Sequence, residues 1–154
     1  VDELVGSAVR RLQRYEPAVK VESSIDAGIG PVHVHPALIE QAIFNVLENA
    51  AKFSPPGEPI RVQALREEGG LLRIDISDRG PGIPEDERRR IFDMFYSVER
   101  GDRGKQGTGL GLTIVQGIVG AHMGRVEALP GPDGRGTTIR LTLPLGEPLP
   151  AQEG

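Results

Sequence analysis

Hydrophobic residues along this chain recur with two periods, and the switches between them mark out its elements. Over residues 1–14, Leu4, Val5, Ala8, Val9 and Leu12 fall at helical spacing and predict an amphipathic opening helix. Residues 19–25 alternate and read as a strand, and Val32-His33-Val34 is a short strand candidate. Pro36 then opens a run to Phe53 in which Ile39, Ala42, Ile43, Val46, Leu47 and Ala50 form one apolar helical face. Ser54-Pro55-Pro56-Gly57 stops that helix. Ile60, Val62 and Ala64 alternate, Glu67-Glu68-Gly69-Gly70 turns the chain, and Leu72, Ile74 and Ile76 alternate again up to Asp78, which predicts a β-hairpin. After the loop at 79–84 a short helix is expected from Glu85, with an acidic first turn that suits the helix dipole. Residues 96–106 show no periodicity and read as a long loop. A further helix places Leu110, Ile114, Val115, Ile118 and Val119 on its buried side and closes at Gly124. Residues 125–129 and 137–143 predict a last hairpin, and the chain from Pro144 reads as a tail. Two or three amphipathic helices and about six short strands, mostly in hairpins, predict a two-layer α/β sandwich. In it, helices cover one face of a mixed, mostly antiparallel sheet.

The totals narrow the function more than the fold. At 154 residues, 38% hydrophobic and 26% charged, the chain is one globular domain's worth. Its net charge of −4 is spread over both signs, and its one cationic cluster, Arg88-Arg89-Arg90, sits beside Glu85, Asp86 and Glu87. That argues against a nucleic-acid partner. No run of 18 apolar residues and no basic-then-apolar start is present. Zero cysteines exclude disulfides and thiolate metal sites and are compatible with a cytoplasmic address. The 21 glycines and 13 prolines gather largely at 54–59, 80–84 and 101–111, between patterned elements, so they build loops rather than disorder.

Three stretches carry candidate chemistry. Opposite the apolar face of 36–53, Asn45, Glu48, Asn49 and Lys52 are three or four residues apart and share a ridge. Asn is a poor mid-helix residue, and two carboxamides, a carboxylate and an ammonium suit a hard cation and phosphates; a plain solvated face is the alternative. Gly107-Thr108-Gly109-Leu110-Gly111-Leu112 opens directly into a helix, where bare N–H groups and the helix dipole favour phosphate, unless the glycines serve only close packing. Its spacing matches neither GxxxxGK[ST] nor GxGxxG. Asp78, at a strand end before Arg79-Gly80-Pro81-Gly82-Ile83-Pro84, can accept from an exocyclic amine while the glycines admit a flat base, or it can make an ordinary Asx turn. His33 and His35 lack a third ligand nearby and read as strand-edge residues rather than a metal pair.

NVLENAAKF, DRGPGIP, FDMF and GTGLGL, in that order, resemble the N, G1, F and G2 boxes of sensor histidine kinases. These kinases belong to the ATP-binding family that also contains DNA gyrase B, Hsp90 and MutL. The resemblance covers roughly residues 1–145 and implies that family's α/β sandwich with ATP under a lid. It implies that Asn49 ligates Mg²⁺, that Asn45 and Lys52 contact phosphates, and that Phe53 stands near the nucleotide. Asp78 would read the adenine amine, with a water held by Thr138, while Gly80, Gly82 and Ile83 shape that end. Residues 96–106 would be the lid, with Arg100, Arg103 and Lys105 reaching phosphate, and Gly107, Thr108, Gly109, Leu110 and Gly111 would wrap the triphosphate. Where gyrase-type relatives carry a water-activating Glu, this chain has Asn45, which favours phosphoryl transfer over hydrolysis; Glu48 remains a candidate base. HVHPALIEQAIFNVLENAAKFSPPGEP and GAHMGRVEALPGPDGRGTTIRLTLP are most similar to the potassium-responsive Kdp-type kinases.

None of His33, His35 and His122 is followed by the H-[DE]-x-[KR]-like block of a phosphoacceptor. The expectation is a catalytic domain over 1–145 and a tail over 146–154. It would be monomeric alone and cytoplasmic in a membrane-bound sensor kinase, donating phosphate to a separate dimerisation domain and, through it, a response regulator. A nucleotide-sensing module without transfer, a gyrase- or chaperone-type ATPase and a serine-kinase anti-sigma factor are the alternatives.

Overall fold

The apolar face of the helix over 36–53 is the surface on which the other layers pack. The computed structural model describes residues 1–30, 32–92, 111–132 and 134–145. In chain order these form α1 (Asp2–Tyr15), β1 (Val21–Ile25), α2 (Pro36–Phe53), β2 (Ile60–Glu67) and β3 (Leu71–Asp78). Two 3₁₀ turns (Glu85–Glu87 and Arg90–Phe92), α3 (Gly111–Ala121), β4 (Arg125–Pro130) and β5 (Thr137–Pro144) follow. All six residues of the predicted α2 face are buried, together with Phe44 and Asn45. Such breadth of burial arises because α2 has a neighbour on each flank, α1 and α3, as well as the sheet beneath it. On the α1 side Phe44 lies under Tyr15, ring centroids 6.4 Å apart, and the Arg11 guanidinium stands 4.0 Å from the Phe44 ring centre.

The sheet runs β1-β2-β3-β5-β4, with β1 parallel to β2 and every other pair antiparallel. A parallel β1–β2 pair needs a long crossover, which α2 supplies. Alternation sends Ile60, Val62, Ala64, Leu72, Ile74, Ile76, Ile139, Leu141 and Leu143 to the helices, all at most 3% exposed. Burying the Val, Leu and Ile side chains among them contributes about 1.5–3 kcal/mol each. The opposite parity carries Arg73, Asp75, Ser77, Thr138, Arg140 and Thr142. There Arg140 binds Asp75 through two hydrogen bonds of 2.9 and 3.1 Å, and Ser77 bonds Thr138 at 2.8 Å.

Several expectations change in detail. Val32-His33-Val34 is not a strand: only His35 separates it from Pro36, and His35 takes up the extended N-cap position of α2. Among the described residues five strands form rather than six. The acidic stretch at 85 makes 3₁₀ turns rather than a continuous helix. In α3 only Val115 and Val119 are fully buried, whereas Ile114 is 45% exposed, since contact with α2 and β4 needs no more than a narrow stripe. At the end of α3 the left-handed residue is Met123, φ 65°, not Gly124. Gly124 has a different reason: a side chain there would strike the Thr142 carbonyl and come within 2.9 Å of Leu143 Cδ2.

Candidate functional site

Asp78 continues the parity of Leu72, Ile74 and Ile76, so it ends β3 on the helix-facing side of the sheet. It is buried, and its Oδ1 accepts the Gly80 N–H at 2.8 Å. The Asx turn is therefore real, and it orients the carboxylate. Burial pushes the Asp78 carboxyl above the ordinary carboxylate range, opposed by backbone N–H groups of Gly80 and Thr137. The ion pairs among the described residues put no cation opposite it. A buried carboxylate held by two backbone N–H groups, whose desolvation still outweighs them, marks a candidate site.

Glycines make the approach around Asp78 possible. A Cβ at Gly80 would collide with the Phe53 carbonyl oxygen and lie 3.1 Å from Asp78 Oδ1, so at Gly80 the loop meets the C-terminal end of α2 backbone to backbone. Gly82, φ 82°, would place a Cβ 3.2 Å from the Gly136 carbonyl, and Gly136, φ 76°, presses against the Asp78–Arg79 backbone. Ile83 packs partly buried against the core.

Along α2 the expected polar ridge divides. Glu48 is exposed, while Asn49, Lys52 and Phe53 are half-buried. Asn45, by contrast, turns inward: it is 7% exposed and its Nδ2 donates to the Gly111 carbonyl at 3.3 Å. That bond joins the middle of α2 to the start of α3. Thr113 Oγ1 donates to the Phe92 carbonyl at 2.8 Å, which holds together the two residues' elements on either side of 93–110. The α2 ridge thus reaches from the Asp78 loop, met at Phe53, to the head of α3, met at Asn45. Eight residues of helix span about 12 Å.

Arg100, Arg103, Lys105, Gly107, Thr108, Gly109 and Leu110 lie outside the described residues. Gly111 is exposed at the start of α3. Thr138 does not join the others: its parity is that of the outer face, where Ser77 bonds it, so it points away from Asp78. Thr137 is the residue paired with Asp78, and it supplies a backbone N–H to the carboxylate. Strand parity held the signal for it, because Thr137 shares the inward parity of Ile139 and Leu141. Gly136 was likewise legible only as part of a turn.

Among the described residues hard ligands are available but no cage is. Among the described residues no group of three or more His, Cys, Asp or Glu is placed to hold a metal ion. An amide oxygen such as that of Asn49 suits Mg²⁺, which is commonly bound by one or two side chains together with substrate phosphates. No helix among the described residues is long and apolar enough to cross a membrane.

The comparisons with known proteins agree with this fold. Residues 34–147 match the HATPase_c family, described as histidine kinase-, DNA gyrase B- and HSP90-like ATPase. The adaptive-response sensory kinase SasA of a Nostoc species is 39% identical over 128 residues, 83% of this chain and 31% of that protein. The sensor protein KdpD of Clostridium acetobutylicum is 38% identical over 130 residues, 84% of this chain and 14% of that protein. The chain thus spans about a third or less of these curated relatives. Among solved structures, the mycobacterial sensor histidine kinase MprB superposes with a TM-score of 0.78 at 32% identity, covering 93% of each chain. Full-length ShkA in complex with AMPPNP gives 0.78 at 25% identity, covering 95% of this chain and 30% of that one. The chain therefore belongs to the histidine kinase-, DNA gyrase B- and HSP90-like ATPase family, in the form of the catalytic domain of sensor histidine kinases.

Proposed function

We propose that this chain binds Mg-ATP and donates the γ-phosphoryl group to a histidine on a separate dimerisation domain, from which a response regulator takes it. The observation that carries the reading is the buried Asp78 carboxylate, held by Gly80 and Thr137 at one end of the same α2 ridge that meets α3 at Asn45. An adenine amine would add a further donor to Asp78, beside Gly80, Gly82 and Ile83. Thr137, rather than Thr138, stands next to that amine. The phosphates would then lie towards Asn49, Lys52 and the head of α3, where the glycine run of Gly107, Thr108, Gly109, Leu110 and Gly111 begins the helix. Arg100 and Lys105 are proposed to add positive charge there. Mg²⁺ bound with Asn49 would neutralise phosphate charge, and Glu48, exposed beside it, is the proposed base for the incoming histidine. Transfer of this kind depends on positioning and charge neutralisation.

Hydrolysis of the gyrase type is disfavoured because the position of its activating carboxylate holds Asn45, a neutral amide already committed to hydrogen bonds on both sides. The similarity to SasA and to KdpD is close to equal, so potassium sensing rests on the Kdp-like segments alone. We place the domain on the cytoplasmic side of its kinase, with residues 1–145 as the catalytic unit.

Calorimetric titration with a non-hydrolysable ATP analogue, with and without Mg²⁺ and beside GTP, tests the reading. Micromolar, adenine-selective, Mg²⁺-sensitive binding is expected, and Asn49→Ala should remove the Mg²⁺ dependence. With the acceptor domain added, acid-labile phosphate should form. Absence of that phosphate while ATP is bound would leave a nucleotide-binding module without transfer.

A further inference from the structure

Asn45 is held by more than its bond to Gly111. Its Oδ1 accepts Gln41 Nε2–H at 2.7 Å, and Gln41 Oε1 in turn accepts Arg11 Nη1–H at 2.9 Å. The run Arg11–Gln41–Asn45–Gly111 crosses from α1 through α2 to α3. Its ends admit one polarity only. A guanidinium can donate but not accept, and a backbone carbonyl can accept but not donate. With both ends set, Gln41 must turn its oxygen to Arg11 and its amide N–H to Asn45, and Asn45 must turn its N–H group to Gly111. A cationic donor at the head of such a run also polarises each amide in the same direction.

Resting on the nucleotide-binding reading above, we infer that Gln41 is a positioning residue for phosphate binding: it holds the Asn45 amide with its donor end towards the head of α3. An Asn offers two donors at nitrogen and an acceptor at oxygen, so its orientation decides what it presents to an anion. As held here, a phosphate arriving beside Gly111 meets N–H. Rotated by half a turn, the same side chain would present a carbonyl oxygen to the phosphate and to the Gly111 carbonyl, and repel both. Asn45 is buried among packed helices, so the choice is made by Gln41 together with the Gly111 carbonyl and not by solvent. The control reaches back to α1, where Arg11 is itself fixed over the Phe44 ring.

The test compares ATP with adenosine on the whole chain, titrated by NMR against the wild type, Gln41→Glu and Gln41→Leu, with thermal melts of each. Glu at 41 keeps an acceptor for Arg11 but cannot donate to Asn45, so it favours the rotated amide; Leu removes both bonds. ATP affinity is expected to fall roughly 3- to 10-fold in both, the worth of one neutral hydrogen bond, and more in Gln41→Glu. Adenosine, which has no phosphate, should bind within about twofold of the wild type. Equal loss for ATP and adenosine would reduce Gln41 to a general structural role, and unchanged ATP affinity would remove amide orientation from phosphate binding; either overturns the inference. If the variants at 41 do not fold, Arg11→Met, which leaves Gln41 in place and keeps an apolar stem over Phe44, carries the same comparison with a smaller selective loss. A wild type that binds no ATP would overturn the nucleotide reading itself, whereas normal wild-type binding with unaffected variants overturns only the role of Gln41.

Discussion

Asp78 concentrates the conflict between stability and function into one side chain. Because burial raises its carboxyl above the ordinary range, the folded chain holds that proton more tightly than the unfolded chain does. Stability therefore falls as pH rises from the ordinary Asp value, about 4, through the raised one, and the loss is complete above it. Asp78→Asn removes the titration while its amide oxygen can still accept the Gly80 N–H. The ligand-free variant should be at least as stable as the wild type at neutral pH, with a flatter pH dependence in urea melts. Its affinity for adenine nucleotides should drop by about 1.5–3 kcal/mol, the worth of a hydrogen bond to a charged group. A variant that lost stability at neutral pH and kept ATP affinity would place Asp78 in the scaffold instead. Asn45 shows the same economy in another form: a residue unfavourable inside a helix is retained where both ends of its amide have partners.

At the scale of elements, the end of α3 separates two reasons for glycine that a sequence motif merges. Gly124 N–H returns to the Val119 carbonyl at 2.9 Å, and the left-handed turn that allows this falls on Met123, which is 82% exposed and packs on little. Met123→Gly should stabilise the chain by about 1 kcal/mol by relieving the Cβ clash of the left-handed conformation. Gly124→Ala should destabilise it by more than that, because backbone of β5 occupies the space. Thermal or urea melts of the two variants should move in opposite directions; a shared direction would mean that one cause governs both positions. The sheet obeys a similar logic. Its parity puts Asp78 and Thr137 on the helix side, and Ser77 and Thr138 on the other, so one residue of register decides which threonine meets the site.

For the whole molecule, α2 transmits what its neighbours do. α1 buries Val5, Ala8 and Leu12 against it, and the same helix carries Arg11, the first donor of the run that ends at Gly111. Leu12→Ala should cost about 2–5 kcal/mol, lowering the urea midpoint with the slope unchanged, since Leu12 is 1% exposed and its truncation leaves a cavity in the core. An effect below 1 kcal/mol would mean that α1 is held loosely. The sequence by itself determined the α2 apolar face, the two hairpins, the α/β sandwich and the ordered motif blocks that identify the family. Each of these is written in local periodicity or in contiguous residues, and hydrophobic burial enforces such patterns wherever the element ends up. Only the tertiary structure decided that Ile114 stays exposed, that Met123 takes the left-handed turn, that Thr137 and not Thr138 accompanies Asp78, and that Asn45 is turned inward. Those outcomes depend on partners far along the chain, Arg11 and Gln41 being 30 residues apart and Asn45 and Gly111 66 apart. A hydrogen bond between such residues leaves no period in the sequence; it exists because three helices, each placed by its own apolar stripe, bring donor and acceptor within reach.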